Sequence, residues 1–237
     1  MRFLIFVVPG SAEIEATLFG TDGVLRDPAD RRIIIDLTTS APAATTALAR
    51  RAAAVGCAYV DCGMSGGAMA ADAGKVTLMI GGTEEAVCAC EPVFALFAGA
   101  RTHVGPSGAG HTIKLIHNMI CHSIFLLTTE GCRTAQRAGI DLDKAVAVLN
   151  SGNARSFISE VRFPKHILTG TFDGRSRMSN LKKDLDMAAT LAGELGQPAV
   201  YAPLAAQVLG EAMTGDAPDR DFTRLYEEFD DIITALK

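Results

Sequence analysis

Apolar positions along the chain change their period once, near residue 107. Before that point, short continuous apolar runs predict strands buried on both faces. These are Phe3 to Val8, ended by Pro9-Gly10, then Arg32 to Leu37, Ala58 to Asp61, Lys75 to Gly82 and the short Thr102-His103-Val104. Helical spacing between them predicts helices over 11–19 with Ser11 as N-cap, over an alanine-rich 43–55 stopped by Gly56, and over 84–97. Two strand–helix–strand units in succession imply a parallel sheet with covering helices. After residue 107 helix follows helix, over 108–138, 142–150, 155–168, 178–195, 200–213 and 222–236. Breaks fall at Gly139, Gly152, Gly170, Gly196-Gln197-Pro198 and Gly215-Asp216. The expected architecture is α/β followed by all-α, with domains at 1–106 and 107–237. Ligand sites often fall where two such parts meet.

The first long helix carries the candidate chemistry. Gly105 to Gly110 is a glycine-rich turn, and the helix behind it sets Lys114 and Asn118 four residues apart, on one face. His111 and His122 extend that stripe. The surrounding residues are apolar, so burial is expected, and a buried ammonium needs a polar cleft or a partner. Burial would lower the pKa of Lys114 towards neutrality and suit it to exchange a proton with a substrate hydroxyl. The competing reading is a lysine whose stem packs on apolar neighbours while its head reaches water. Asn118 would orient a hydroxyl or carboxylate, or stand as a structurally satisfied amide.

Ser65-Gly66-Gly67, in a small-residue loop that starts at Met64, follows the carboxyl end of a predicted strand, where open parallel sheets bind ligands. Two glycines let the backbone approach a ligand, and successive N–H groups can cup an anion such as a carboxylate. An ordinary tight turn is the alternative. Lys182-Lys183-Asp184 interrupts an apolar-periodic helix, either as a solvated ion pair or as a second cationic contact aimed at a cofactor. Two look-alikes fail. Gly105-x-x-x-x-Gly110-His111-Thr112 has histidine where a phosphate loop needs lysine, and Ile113 stands where a dinucleotide fingerprint starting at Gly108 needs its third glycine. His117 and Cys121 have metal-ligand spacing but no acidic third ligand nearby, so they are read as packing and no metal is expected.

The 237 residues are 49% hydrophobic and 21% charged, a globular composition with enough chain for a real core. The net charge of -5 argues against nucleic acid as a partner. The six cysteines (57, 62, 88, 90, 121 and 132) show no C-x-x-C spacing and lie mostly in apolar runs. They predict buried free thiols in a reducing compartment. No run approaches the roughly 18 apolar residues of a membrane span, and the apolar start is too short for a signal peptide. A cytoplasmic protein with no membrane partner is expected.

Three stretches, Asp61 through Gly67, Gly105 through Asn118 and Leu181 through Ala188, resemble the β-hydroxyacid dehydrogenase family in order and spacing. That is the family of 3-hydroxyisobutyrate dehydrogenase, tartronate semialdehyde reductase and relatives of 6-phosphogluconate dehydrogenase. Asn150-Ser151-Gly152, Arg155-Ser156 and the turn from Glu194 to Pro198 resemble its helical domain, so the likeness covers nearly the whole chain. It implies a Rossmann-like sheet, and a C-terminal helical substrate and oligomerisation domain built on a long interdomain helix. It also implies NAD or NADP as cofactor, a small 3-hydroxy acid as substrate, and a homodimer or larger assembly. By the same resemblance Lys114 matches the catalytic lysine, which relays a proton while hydride passes between the carbinol carbon and nicotinamide. Ser65, Gly66 and Gly67 match the loop that holds the substrate carboxylate, and Asn118 the residue that helps orient it. Val8, Pro9, Thr39 and Lys183 match cofactor contacts. Gly63 replaces the usual proline, which is expected to loosen the loop entry slightly.

One departure matters more. The family opens with strand, G-x-G-x-x-G turn and helix, and here Phe3 to Val8 resembles the strand that opens the second half of the domain. The expectation is that the N-terminal half of the dinucleotide domain is lacking, which leaves an incomplete Rossmann-like sheet, a weakened grip on the cofactor and impaired activity. The exposed edge at residues 3–8 is then expected to be paired, by another subunit or by a rearranged segment. The alternative function is a non-catalytic remnant that serves as a carboxylate-binding or oligomerisation module.

Overall fold

A computed structural model describes residues 2–25, 31–213 and 217–236. The expected break at Gly215-Asp216 lies outside the described residues. The chain forms two compact units, Met1–Ile116 and His117–Lys237.

The first unit is built on a sheet of five strands among the described residues, β1 (Arg2–Phe6), β2 (Arg32–Asp36), β3 (Ala58–Ser65), β4 (Val76–Gly81) and β5 (Ala98–Gly105), ordered β1-β2-β3-β4-β5. Helices α1 (Ser11–Phe19), α2 (Pro42–Ala54), α3 (Gly67–Asp72) and α4 (Glu84–Phe94) connect them. Side chains alternate between the two faces. Ile34 and Tyr59 pack with Ile14 and Leu18 of α1 and Leu48 and Ala52 of α2. Ile33, Ile35, Val60 and Cys62 pack with Ala86, Cys90 and Phe94 of α4. Both faces of β2 and β3 are therefore covered, which is why these strands read as unbroken apolar runs.

Four expectations need correction. The sheet is not all parallel: β1, β2 and β3 are parallel, β4 runs antiparallel to β3, and β5 runs with β4. A parallel return needs a crossover of a dozen or more residues, and the short α3 link cannot supply one. Second, β1 is not buried on both faces. It stands at the end of the sheet, with Ile5 50% and Val7 67% exposed. Among the described residues only β2 pairs with it, so no rearranged segment covers this edge there. Third, β3 runs on to Ser65, so Met64 and Ser65 belong to a strand and not to a loop. Fourth, Ser11 is the first residue of α1 and its cap is Gly10, which offers no side chain.

Helix α5 (Ala109–Arg137) begins in the first unit and continues into the second. There it is joined by α6 (Leu142–Ser151), a π-helix (Ile158–Ile167), α7 (Met178–Glu194), α8 (Tyr201–Ala212) and α9 (Leu225–Ala235). The expected helix over 155–168 thus takes the wider π winding. Pro164 lies inside it and lacks the N–H an α-turn would use. The core of this unit holds an aromatic cluster, with ring centroids 5.0 Å apart for Phe125 and Phe222 and 5.5 Å apart for Phe163 and Tyr226. Among the described residues no helix is long and apolar enough to cross a membrane.

All six thiols are free, but not all are buried: Cys88 is exposed and Cys121 half-buried. Burial pushes the thiol of Cys90 up to about 12 and that of Cys132 up to about 11. Burial also raises Cys62, with the charge of Asp61 adding to the shift. Since the thiolate is the reactive form, alkylation of the native protein at pH 8 should label Cys88 first and leave Cys62, Cys90 and Cys132 unlabelled until unfolding. Peptide mapping after timed iodoacetamide treatment reads this directly. Early labelling of Cys90 would contradict the packing of α4 on the sheet.

Candidate active site

The site is assembled from strand β3 outward. Asp61 pairs in register with Asp36, and both carboxylates are fully buried. Asp61 accepts the N–H of Gly108 at 2.7 Å and that of His111 at 2.9 Å. It thereby places a negative charge at the start of α5 and satisfies two of its open N–H groups. Asp36 accepts the Thr38 N–H at 2.9 Å and the Tyr59 O–H at 2.7 Å. Burial first, and then the Asp36 charge, hold the Tyr59 phenol far above its usual pKa, so it stays a donor.

Two glycines let the helix come close. A Cβ on Gly110 would lie 2.5 Å from the main-chain oxygens of Asp61 and Met79. A Cβ on Gly63 would lie 2.4 Å from Cβ of Lys114. The Lys114 stem therefore rests on the bare backbone of β3, and the residue is 9% exposed. Gly63 is a seat for the lysine within a strand, which corrects the expectation of a loosened loop entry.

Two residues further along β3 comes the turn Ser65-Gly66-Gly67. Gly66 (φ 111°) and Gly67 (φ 63°) are both left-handed, a conformation that glycine adopts without strain. Val8-Pro9 and Thr39 follow the carboxyl ends of β1 and β2 just as this turn follows β3. Helices α1 and α2 also begin there, and neither N-terminus is capped by a side chain. Open helix N-termini at the carboxyl ends of parallel strands suit an anionic dinucleotide. This fit is partial, because the sequence contains no G-x-G-x-x-G turn.

In the second unit, Asn118 stands one turn beyond Lys114 on α5 and is 6% exposed. Its Nδ2 donates to Oδ2 of Asp184 at 2.6 Å, and its Oδ1 lies 3.0 Å from Nδ1 of His117. Lys183 Nζ lies 3.6 Å from the other Asp184 oxygen, while Lys182 pairs with Asp186 at 2.6 Å. The Lys182-Lys183-Asp184 cluster is thus split between a surface pair and a buried anchor. The expected solvated ion pair does not describe Asp184, which is buried and accepts from Asn118. The available signal was an acid on the face of α7 that also buries Leu181, Leu185 and Ala188.

His111 does not share the stripe of Lys114. It is fully buried, with Nδ1 2.7 Å from Thr45 Oγ1 of α2. The hydrogen bond with Thr45 holds its ring towards α2. An open polar cavity of about 390 Å³, lined by Asn150, Ser151, Gly152, Asn153 and Arg155, contains none of the expected site residues.

The sequence matches two family models. The one described as the NAD binding domain of 6-phosphogluconate dehydrogenase covers residues 1–105. The other, described as the NAD-binding of NADP-dependent 3-hydroxyisobutyrate dehydrogenase, covers residues 108–229. The match from residue 1 gives no support to the expectation that the N-terminal half of the dinucleotide domain is lacking, or that the sheet is incomplete. The chain is 28% identical over 208 residues to the 2-(hydroxymethyl)glutarate dehydrogenase of Eubacterium barkeri, covering 87% of this chain and 69% of that protein. It is 27% identical over 233 residues to the mitochondrial 3-hydroxyisobutyrate dehydrogenase of Drosophila melanogaster, covering 95% and 71%. A crystal structure of 3-hydroxyisobutyrate dehydrogenase from Salmonella typhimurium superposes with a TM-score of 0.82 at 27% identity, over 95% of this chain and 78% of that one.

The seat at Gly63 is testable. Gly63→Ala should destabilise the protein by about 1–3 kcal/mol, the usual cost of overpacking. The loss should appear as a lower urea midpoint at unchanged slope. A variant as stable as the parent would mean that the Lys114 stem does not bear on β3.

Proposed function

The chain belongs to the 3-hydroxyisobutyrate dehydrogenase family of NAD(P)-dependent oxidoreductases, and from that premise we propose that it transfers hydride between a small 3-hydroxy acid and NAD or NADP, with Lys114 as general acid/base. The observation that carries this reading is the placement of Lys114 on β3. Its stem sits on Gly63, and the Ser65-Gly66-Gly67 turn begins two residues along the same strand, about 7 Å away. A lysine stem seated that close to the turn brings its amine within reach of a hydroxyl on a short acid held there. The two named relatives support the class, since 2-(hydroxymethyl)glutarate and 3-hydroxyisobutyrate each carry a hydroxyl on the carbon β to a carboxylate.

When bound, the cofactor accepts or supplies the hydride. Ser65 and the backbone of Gly66 and Gly67 hold the substrate carboxylate. Lys114 takes the hydroxyl proton during oxidation and returns it during reduction. Asn118, its amide fixed by Asp184, orients the reacting hydroxyl. Val8, Pro9 and Thr39 contact the cofactor at the carboxyl ends of β1 and β2, and Lys183 contacts it from α7. Residues 1–106 form the cofactor part and residues 107–237 the substrate part, which also joins copies of the chain into a homodimer or larger assembly.

Cofactor titration followed by single-turnover kinetics tests this. NAD+ or NADP+ should bind at or below millimolar concentration, and 3-hydroxyisobutyrate should then be oxidised with formation of NADH or NADPH. Lys114→Ala should lower kcat by about 100-fold or more while leaving cofactor affinity nearly unchanged. Absence of binding of both cofactors at millimolar concentration would sink the proposal, and so would an undiminished kcat in Lys114→Ala.

A further inference from the structure

His111 is a buried titratable residue that the proton relay does not use. It is sealed from water, and it lies in the first unit with every partner named below. Its main-chain N–H donates to Asp61 Oδ2 of β3 at 2.9 Å, and Nδ1 of its ring lies 2.7 Å from Thr45 Oγ1 of α2. Nε2 lies 3.9 Å from Oδ2 of Asp36 on β2 and makes no hydrogen bond among the described residues. Asp36 accepts at both oxygens, so the ring proton is better placed on Nε2. That leaves Nδ1 to accept the Thr45 hydroxyl, whose other acceptor, the main-chain oxygen of Ala41, is further away at 3.3 Å. One residue thus ties the first turn of α5 to a helix and two strands.

The floor under that turn shows why a tie is needed. Gly63, Gly81 and Gly110 bring backbones together with no side chain between them. A Cβ on Gly81 would lie 2.8 Å from the nitrogen of Gly110, and one on Gly110 would lie 2.5 Å from the oxygens of Asp61 and Met79. Bare backbone sets how near the helix comes but offers no ridge for it to lock into. The N–H groups of Gly108 and His111 that bond Asp61 point roughly along the helix axis, so they hold the end down and resist rolling poorly. In the same turn Ala109 and Gly110 have no polar side chain, and Thr112 bonds back to the Gly108 oxygen at 2.8 Å. The His111 ring stands off the axis and reaches α2, which is itself fixed on the sheet through Leu48 and Ala52.

We propose that His111 is a positioning residue for Lys114: through Thr45 it sets the roll of α5, and with it the direction of the lysine. The proposal rests on the reading of Lys114 as general acid/base. The two residues are three apart, roughly 4.5 Å along the axis and roughly 60° around it, so one turn of helix carries both. With Cα atoms ~2.3 Å from the axis, a roll of about 20° moves the Lys114 stem by about 1 Å over Gly63. A displacement of that size costs on the order of 100-fold in rate when it falls on a reacting group.

Thr45→Val removes the hydroxyl with little change of shape and touches no residue placed in the site. In single turnovers with 3-hydroxyisobutyrate its rate should be about 10-fold lower or more, with cofactor affinity little changed. The solvent deuterium isotope effect should rise, because the proton has farther to travel to the amine, and Thr45→Ser should restore both values. An undiminished rate in Thr45→Val, a lower rate with the parent's isotope effect, or no rescue by Thr45→Ser would overturn the proposal. Should Thr45→Val fail to fold, Thr45→Cys, whose thiol is a weak donor in the same space, takes its place. If the parent oxidises no hydroxy acid, the reading of Lys114 fails on its own, and amide hydrogen exchange decides the tie. Residues 113–116 should then exchange faster in Thr45→Val than in the parent, while β2 and β3 keep the parent's rates. Equal exchange at 113–116, or faster exchange throughout the unit, overturns it.

Discussion

The buried carboxylate of Asp61 is the constraint on which the site depends. A carboxylate with no exposure to water is tolerable only if donors replace its hydration, and here two N–H groups from the first turn of α5 do so. The exchange is reciprocal, because those N–H groups would otherwise be open at a buried helix end. Asp36, in register on the next strand, is equally buried and has its own donors in Thr38 and Tyr59. The two buried carboxyl groups thus sit side by side without sharing a donor. Removing Asp61 would release the start of α5 and with it the height of Lys114 along β3.

That height has a simple origin in strand geometry. Side chains on a strand alternate, so Tyr59, Asp61, Gly63 and Ser65 all point to one side of β3. Taken in order they donate to Asp36, hold the helix, seat the lysine stem and open the glycine turn. Glycine is required at the third position because the helix is pulled in so closely by the second. The Lys114 stem is therefore located by a side chain that is absent as much as by those that are present. A one-residue slip of β3 would move all four functions to the opposite face at once.

Much of this was legible in advance. The change of hydrophobic period near residue 107 marked the change from sheet to helices, and the four-residue spacing of Lys114 and Asn118 placed them on one helix face. What stayed hidden depended on contacts across long stretches of chain. Asp61 reaches Gly108 across 47 residues, and Asn118 reaches Asp184 across 66. No local pattern reports such a pair. The direction of β4 was hidden in a different way, since an apolar run looks alike in either direction and only the short link from β3 decides it. The π winding over Ile158–Ile167 likewise keeps the apolar spacing of an ordinary helix closely enough to be read as one. The exposure of β1 follows from its place at the end of the sheet, which composition alone does not reveal.

The two polar residues of α5 are fixed by different means. Lys114 is set by packing against a glycine, which fixes the base of its stem. Asn118 is set by a hydrogen bond to a buried acid, which fixes the orientation of its amide. Both stand on one continuous helix, so about 6 Å of axial rise separates them whatever ligand is bound.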